Sequence, residues 1–185
     1  MPTLARVPLY SATFIKTPCD TTGEEPNQVE MTGQQAVPLP QAQTWEALND
    51  TAVLKECIPG CEALDKVSDN QYELAIRSRI GPVSARFKGL MTLENVDPPN
   101  AYTMVFEGQG GVAGFAKGQA VVTLSDNGDG TLLSYSVKAM IGGKLAQLGA
   151  RLIDGVARKL ADDFFKAFNE RASKGTPTPA ASGGT

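Results

Sequence analysis

Between Gly143 and about Ala172 the chain carries Leu145, Leu148, Leu152, Ile153, Val156, Leu160, Phe164, Phe165 and Phe168. Most of these recur at steps of three, four or seven, which places them along one side of an α-helix. Gly142-Gly143 mark its entrance. The stretch is too long for a routine connector and too charged to cross a bilayer. A helix of this kind requires an apolar surface to lie on, and that requirement narrows what everything upstream can be.

Upstream, strand signals come in series: about Glu62–Val67, Gln71–Ile80, Val83–Asn95, Ala101–Glu107, Phe115–Ser125 and Thr131–Met140. Turn residues separate most of them: Asp69-Asn70, Gly81-Pro82, Asp97-Pro98-Pro99-Asn100 and Asn127-Gly128-Asp129-Gly130. The spacing is that of an antiparallel meander. Before it, Met31–Pro38 reads as a first strand and Ala42–Asn49 as a short helix with Trp45 and Leu48 on one face. Asp50 then caps a second short helix, Thr51–Cys57, which Pro59-Gly60 stops. Short helices followed only by strands indicate an α+β plan rather than βαβ repeats.

A two-residue turn at Gly81-Pro82 sets one hairpin in detail. It pairs Ile80 with Val83, Ile76 with Phe87, Leu74 with Gly89 and Tyr72 with Met91, an apolar face interrupted only by Ser78 opposite Ala85. The other face pairs Arg77 with Arg86, Arg79 with Ser84 and Ala75 with Lys88. Directly opposed like charges are destabilising. The cluster is either a solvated face relieved by nearby Glu73 or a surface for an anionic partner. Later strands alternate in the same way: Tyr102, Met104 and Phe106 share one side, as do Ala120, Val122 and Leu124, and Leu133, Tyr135, Val137 and Ala139.

Residues 1–28, punctuated by Pro2, Pro8, Pro18 and Pro26, read as a disordered leader, with Met31 a candidate true start. The domain then spans 29–173, and 174–185 form a flexible tail. The chain contains no histidine and has a net charge of -3. This excludes Ser-His-Asp catalysis and His-ligated metals, and it argues against a dedicated nucleic-acid binder. No metal site, covalent cofactor or catalytic residue is expected. Three cysteines are too few for a disulfide scaffold, and a reducing, cytoplasmic compartment is the simplest reading. Cys57 and Cys61 are either two small buried residues at a helix end or a redox pair.

The glycine-rich run 108–118 is not a phosphate loop, because Lys117 is followed by Gly118 between strands rather than at a helix start. It is either a wide, flexible hairpin connection or a mobile lid at a cavity mouth, with Phe115 an apolar contact and Lys117 a cation for a partner or ligand oxygen. Around the long helix, seven cations (Lys144, Arg151, Arg158, Lys159, Lys166, Arg171 and Lys174) face four carboxylates (Asp154, Asp162, Asp163 and Glu170). The helix dipole favours some of these cations; attraction to anionic lipid head groups is the alternative.

An early strand, two short helices, a meander and a long final helix make the helix-grip order. The expected fold is α+β: a curved antiparallel seven-stranded sheet wrapped around the C-terminal helix. Over roughly Met31 to Arg171 the chain also resembles the family of the carbon monoxide dehydrogenase G-subunit. The resemblance lies in Trp45-Glu46-Ala47-Leu48-Asn49-Asp50, in the run Val53 to Glu62, in Ile80-Gly81-Pro82-Val83 and in Ala85-Arg86-Phe87-Lys88-Gly89. It continues through Asp97-Pro98-Pro99, Tyr102, the loop Gly108 to Gly118 and Gly142 to Gly149.

That resemblance implies a START-like fold with a ligand cavity. It implies a non-catalytic accessory that helps place a molybdenum hydroxylase of the carbon monoxide dehydrogenase type at the inner face of the cell membrane and handles a quinone-like lipid. The cavity residues it points to are Tyr72, Leu74, Ile76, Phe87, Met91, Met104, Phe106, Phe115, Val122, Tyr135, Val137, Leu145, Leu148, Leu152 and Val156. Adaptable methionines such as Met91, Met104 and Met140 suit an irregular lipophilic space. The surfaces for a partner or membrane are Arg77, Arg79, Arg86, Lys88, Lys117, Arg151, Arg158 and Lys159. Two other readings stand beside this one. A cavity enzyme (cyclase, dehydratase or hydrolase) would draw on Tyr72, Tyr135 and Ser78, and would need a carboxylate such as Glu107 or Asp154 buried beside a tyrosine. A ligand-free scaffold would have a filled core.

Overall fold

The computed structural model describes residues 26–174. In chain order its elements are β1 (Asn27–Val37), α1 (Gln41–Asn49), α2 (Thr51–Cys57), β2 (Cys61–Ser68), β3 (Gln71–Ile80), β4 (Val83–Asp97), β5 (Ala101–Gln109), β6 (Phe115–Asp126), β7 (Thr131–Gly142) and α3 (Ala150–Lys174). All seven strands form one antiparallel sheet in the order β1-β7-β6-β5-β4-β3-β2. The sheet curves around α3, which packs on β1 at one edge and on α2 at the other, while α2 packs on β2. The two sheet edges are thus brought around a common helix.

The β3–β4 register is the one that the Gly81-Pro82 turn dictates, including Tyr72 opposite Met91 and Arg77 opposite Arg86. Carried across the sheet, it defines the concave face. One rung runs Leu74–Gly89–Gly108–Ala116–Ile141, and the next runs Tyr72–Met91–Phe106–Gly118–Ala139. Gly89, Gly108 and Ala116 therefore floor one part of the concave face, and Tyr72, Met91 and Phe106 stand beside them.

Local chemistry explains the joints. Asp50 Oδ1 accepts hydrogen bonds from the backbone N–H of Ala52 at 2.8 Å and Val53 at 3.4 Å, capping α2. Thr44 and Thr131, both buried, each donate to Leu39 O, at 3.2 and 2.6 Å. This ties α1 and the start of β7 to the segment after β1 without leaving a buried hydroxyl unpaired. Asp50→Ala should lower stability by about 1 kcal/mol, the usual cost of losing an N-cap; urea denaturation of the two proteins measures it.

The long helix departs from expectation at its start. Gly143–Leu148 form a short 3-10 turn, and α3 begins only at Ala150. Gly149 separates them with a φ of 85, a left-handed conformation that glycine adopts without steric cost. Its carbonyl accepts from the N–H groups of Leu152 and Ile153 and opens α3. A turn followed by a helix keeps nearly the same apolar spacing, so the break is invisible to periodicity.

The leader and tail also need adjustment where they fall on described residues. Asn27 and Gln28 belong to β1, pairing with Ile141 and Met140, and Val29 is buried. A chain beginning at Met31 would lack four residues of its edge strand. Lys174 closes α3. The rest of the expected leader and tail lies outside the described residues.

Candidate functional site

Between the concave face and α3 the interior is hollow. An inner chamber of about 250 Å³ is lined by Tyr72, Met91, Leu93, Tyr102, Met104, Ala120, Val122, Leu133, Tyr135 and Val137 of the sheet, by Leu48, Leu54 and Ile58 around the short helices, and by Ala161, Phe164 and Phe165 of α3. An outer chamber of about 440 Å³ is lined by Leu74, Ile76, Ser78, Ile80, Phe87, Phe106, Gly108, Ala116, Leu145, Ala157 and Leu160, among others. Met31, Ile58, Ala161 and Phe164 line both, so the two chambers adjoin at a collar of these four residues. A filled core does not describe this interior.

The outer chamber exists because of the small rung. Gly89, Gly108 and Ala116 occupy three consecutive inward positions, and a Cβ added at Gly108 would meet only backbone oxygens, at 3.8 Å and beyond. The inner chamber is aromatic. Tyr135 stacks on Phe165 at 5.3 Å, Phe164 stacks on Phe168 at 5.8 Å, and Trp45 stands edge-on to Tyr102 at 5.5 Å. Three phenols supply the polar groups of its lining.

Of the fifteen residues assigned to the cavity, Tyr72, Met91, Met104, Val122, Tyr135 and Val137 line the inner chamber. Leu74, Ile76, Phe87, Phe106 and Leu145 line the outer one. Four line neither. Phe115 fails on parity, because Ala116 takes the inward position of β6. Its ring lies against Gly142 instead, with Lys117 Nζ 5.8 Å from the ring centre. Leu148 sits in the 3-10 turn. The break at Gly149 turns Leu152 toward the Gly81 hairpin tip, where it is 41 % exposed. Val156 is half-buried on α3, where Ala157, Leu160, Ala161, Phe164 and Phe165 take the chamber-facing positions. Met140 is exposed on the outer face. Phe164 is a collar residue, and Phe168 is buried in the core beyond it.

Sequence reasoning missed Met31, Ile58 and Ala161 as lining, and nothing in their local pattern marks them. Tyr102 was within reach, since it shares its side of β5 with Met104 and Phe106.

The loop between β5 and β6 is neither a wide, flexible connection nor a loose lid. It holds a 3-10 turn at Gly111–Ala113, with Ala113 buried. Gly114, at a φ of 113, lies so close to the Gly142 carbonyl that no side chain would fit. The loop is therefore clamped to the turn that precedes α3, and only its tip projects, with Val112 83 % exposed.

On the outer face, Arg77, Arg79, Arg86 and Lys88 are all exposed. The carboxylate that relieves them is Glu62 rather than Glu73. It meets Arg86 Nε at 2.6 Å, because β2 lies beside β3 at that level. Lys159 pairs with Asp163 at 2.8 Å, whereas Arg151 and Arg158 form no ion pair among the described residues. Lys117 is exposed on the outer side of β6.

Neither carboxylate named for an acid–base pair stands in the inner chamber; Asp162 on α3, which is exposed, acts on Tyr135 through its charge without lining that chamber. Glu107 is exposed on β5 opposite Leu90 and borders the outer chamber, which no tyrosine lines, and Asp154 lies on α3 outside both chambers. Among the described residues no group of three or more His, Cys, Asp and Glu comes together, and no helix is long and apolar enough to cross a membrane.

Cys57 is buried and Cys61 half-buried, and both thiols are free. Burial raises both thiols above the ordinary value of 9.0, and it raises Tyr72, Tyr102 and Tyr135 above 10.0, with the Tyr72 hydroxyl adding to the effect on Tyr102. The folded chain therefore holds protons that the unfolded chain releases at high pH. Its stability should be constant up to about pH 9 and fall steadily as pH rises past 9 and then 10, as denaturation midpoints across pH 7–11 would show.

Residues 33–173 match the family described as the carbon monoxide dehydrogenase G-subunit (CoxG). The structure is similar to that of a conserved protein from Geobacillus kaustophilus, at 29% sequence identity and a TM-score of 0.75, covering 79% of this chain and 96% of that one. It is also similar to a START superfamily protein from Mycobacterium smegmatis, at 15% identity and a TM-score of 0.61, covering 80% and 99%. A third similarity is to the Zhui aromatase/cyclase from Streptomyces sp. R1128, at 10% identity and a TM-score of 0.60, covering 86% and 100%. The last two carry the START-like fold alone. No curated protein matches the chain in sequence.

Proposed function

Because the chain belongs to the CoxG family of carbon monoxide dehydrogenase, we propose that it is a non-catalytic accessory that carries a lipophilic, quinone-like ligand between its sheet and α3 and brings a molybdenum hydroxylase of the carbon monoxide dehydrogenase type to the inner face of the cell membrane. The observation that carries the ligand half is the double chamber. Its inner part is lined only by apolar side chains and three tyrosines. Such a space suits a neutral lipophile and penalises a charged one.

The same lining favours a carrier over an enzyme. Proton transfer requires a positioned acid or base near neutrality, and phenols raised by burial are poor candidates. A cyclase shares the fold, but fold alone does not transfer chemistry.

The membrane half draws support from the end of the outer chamber lined by Ile80 and Leu145, which we take as its mouth. There Val112 and Leu152 project, and Arg79, Lys144 and Arg151 are exposed. Cations close to an anionic surface contribute about 1 kcal/mol each, and a mouth facing lipid gives a lipophile a dry path. The adaptor half is tested by affinity capture: the tagged chain should retain its host's carbon monoxide dehydrogenase. The membrane half is tested by sedimentation with vesicles containing phosphatidylglycerol, where Val112→Glu with Arg151→Glu should reduce the bound fraction. An enzyme that never co-purifies would remove the first half, and vesicles ignored by the parent protein would remove the second.

A further inference from the structure

Tyr72 and Tyr102 are 2 % and 7 % exposed, and both line the inner chamber. Among the described residues the buried side-chain oxygen left unpaired is Asn169 Oδ1 and neither tyrosine hydroxyl, so neither is sealed inside the core. A phenol on the wall of an apolar chamber offers a donor to whatever enters it, and phenylalanine would supply the same ring without one. Packing therefore explains the rings and leaves the hydroxyls unexplained. Trp45, edge-on at 5.5 Å, backs the Tyr102 ring, so the position of the group is set by the fold.

The two chambers differ in character. The inner one is walled by aromatic rings, including the Tyr135–Phe165 stack. The outer one is mostly aliphatic, with Ile76, Ile80, Leu145 and Leu160 above a floor of glycine and alanine. Among the described residues no cation lines the inner chamber to neutralise a carboxylate or phosphate, so an anionic head group there would lose its hydration without compensation. A neutral ring bearing an oxygen acceptor meets no such penalty and gives the two hydroxyls an acceptor.

We propose that Tyr72 and Tyr102 form a donor pair that holds the carbonyl oxygen of a planar ring at the inner end, with the ligand's apolar chain passing the Met31–Phe164 collar into the outer chamber. This rests on reading the interior as a ligand site and adds the orientation, the polar anchor and the preference for neutral carbonyl rings over acids. Both phenols stay protonated at neutral pH, because burial disfavours the charged form, and so both donate.

The test compares two probes of one shape, 2,3-dimethyl-1,4-naphthoquinone and 2,3-dimethylnaphthalene, by displacement of a cavity-bound fluorescent dye from the full chain. The parent protein should hold the quinone at least tenfold more tightly than the hydrocarbon. Tyr72→Phe with Tyr102→Phe should weaken the quinone about tenfold, as expected for two hydrogen bonds, and leave the hydrocarbon unchanged. Circular dichroism confirms that the variant folds. Quinone affinity unchanged in the double variant would overturn the anchor while leaving the chamber intact. Failure of both probes to bind the parent protein would overturn the chamber reading itself, and the anchor with it.

Discussion

Gly108→Val should melt at a higher temperature than the parent protein and lose most of its affinity for a long-chain lipophile. Gly108 faces the outer chamber from the inner side of β5, and an added Cβ there meets only backbone oxygens, at 3.8 Å or more. A glycine in mid-strand is destabilising by roughly 0.5–1 kcal/mol relative to alanine, and a valine buries further apolar surface in a space that is otherwise hollow. The net gain is about 1 kcal/mol, or about 2–4 °C for a chain of this size. The same side chain stands where the ligand's chain would run. Long-chain quinones should bind about tenfold more weakly or worse, and a chainless ring that reaches only the inner chamber should lose much less. A residue that lowers stability in return for space is what a carrier requires and what a filled scaffold has no reason to keep.

Phe168→Ala should bring the chain close to unfolding. Phe168 is 1 % exposed and stacks on Phe164 at 5.8 Å, closing the end of the core beyond the inner chamber. Truncating a buried phenylalanine costs about 3–5 kcal/mol, against a total stability of about 5–15 kcal/mol for a typical domain. The contrast is Leu152→Ala on the same helix. That side chain is 41 % exposed, and its loss should change stability by no more than about 0.5 kcal/mol. Urea denaturation of both variants separates the part of α3 that holds the fold from the part that borders the mouth.

The fold was legible wherever a local rule had no competitor. Two residues, Gly81-Pro82, determined the register of ten strand pairs from Gln71 to Val83, because a hairpin turn leaves no freedom beyond it. Asp50 announced α2 in the same way. The chamber was legible where alternation reaches: Tyr72, Met91, Met104 and Tyr135 follow from counting by two along their strands. Counting failed where a residue's weight outran its parity, as with Phe115, an attractive aromatic on the wrong side of β6.

It failed again at the helix entrance. Leu148, Leu152 and Val156 keep helical spacing through a break that only the left-handed Gly149 reveals. The collar was beyond reach for a different reason. Met31, Ile58, Ala161 and Phe164 come from β1, the end of α2 and α3, and only closure of the sheet around α3 brings them together. Likewise Glu62 reaches Arg86 across β3, a long-range pairing that no spacing within one hairpin encodes.

The claim on which the rest depends is that the space between the sheet and α3 holds a lipophile. Native mass spectrometry of the full chain, purified gently from its host without detergent, tests it most directly. A mass above that of the polypeptide is expected, removed by extraction with organic solvent and regained on addition of a quinone, with Gly108→Val failing to regain a long-chain one. A chain that emerges empty and stays empty when offered quinones of several chain lengths would contradict it.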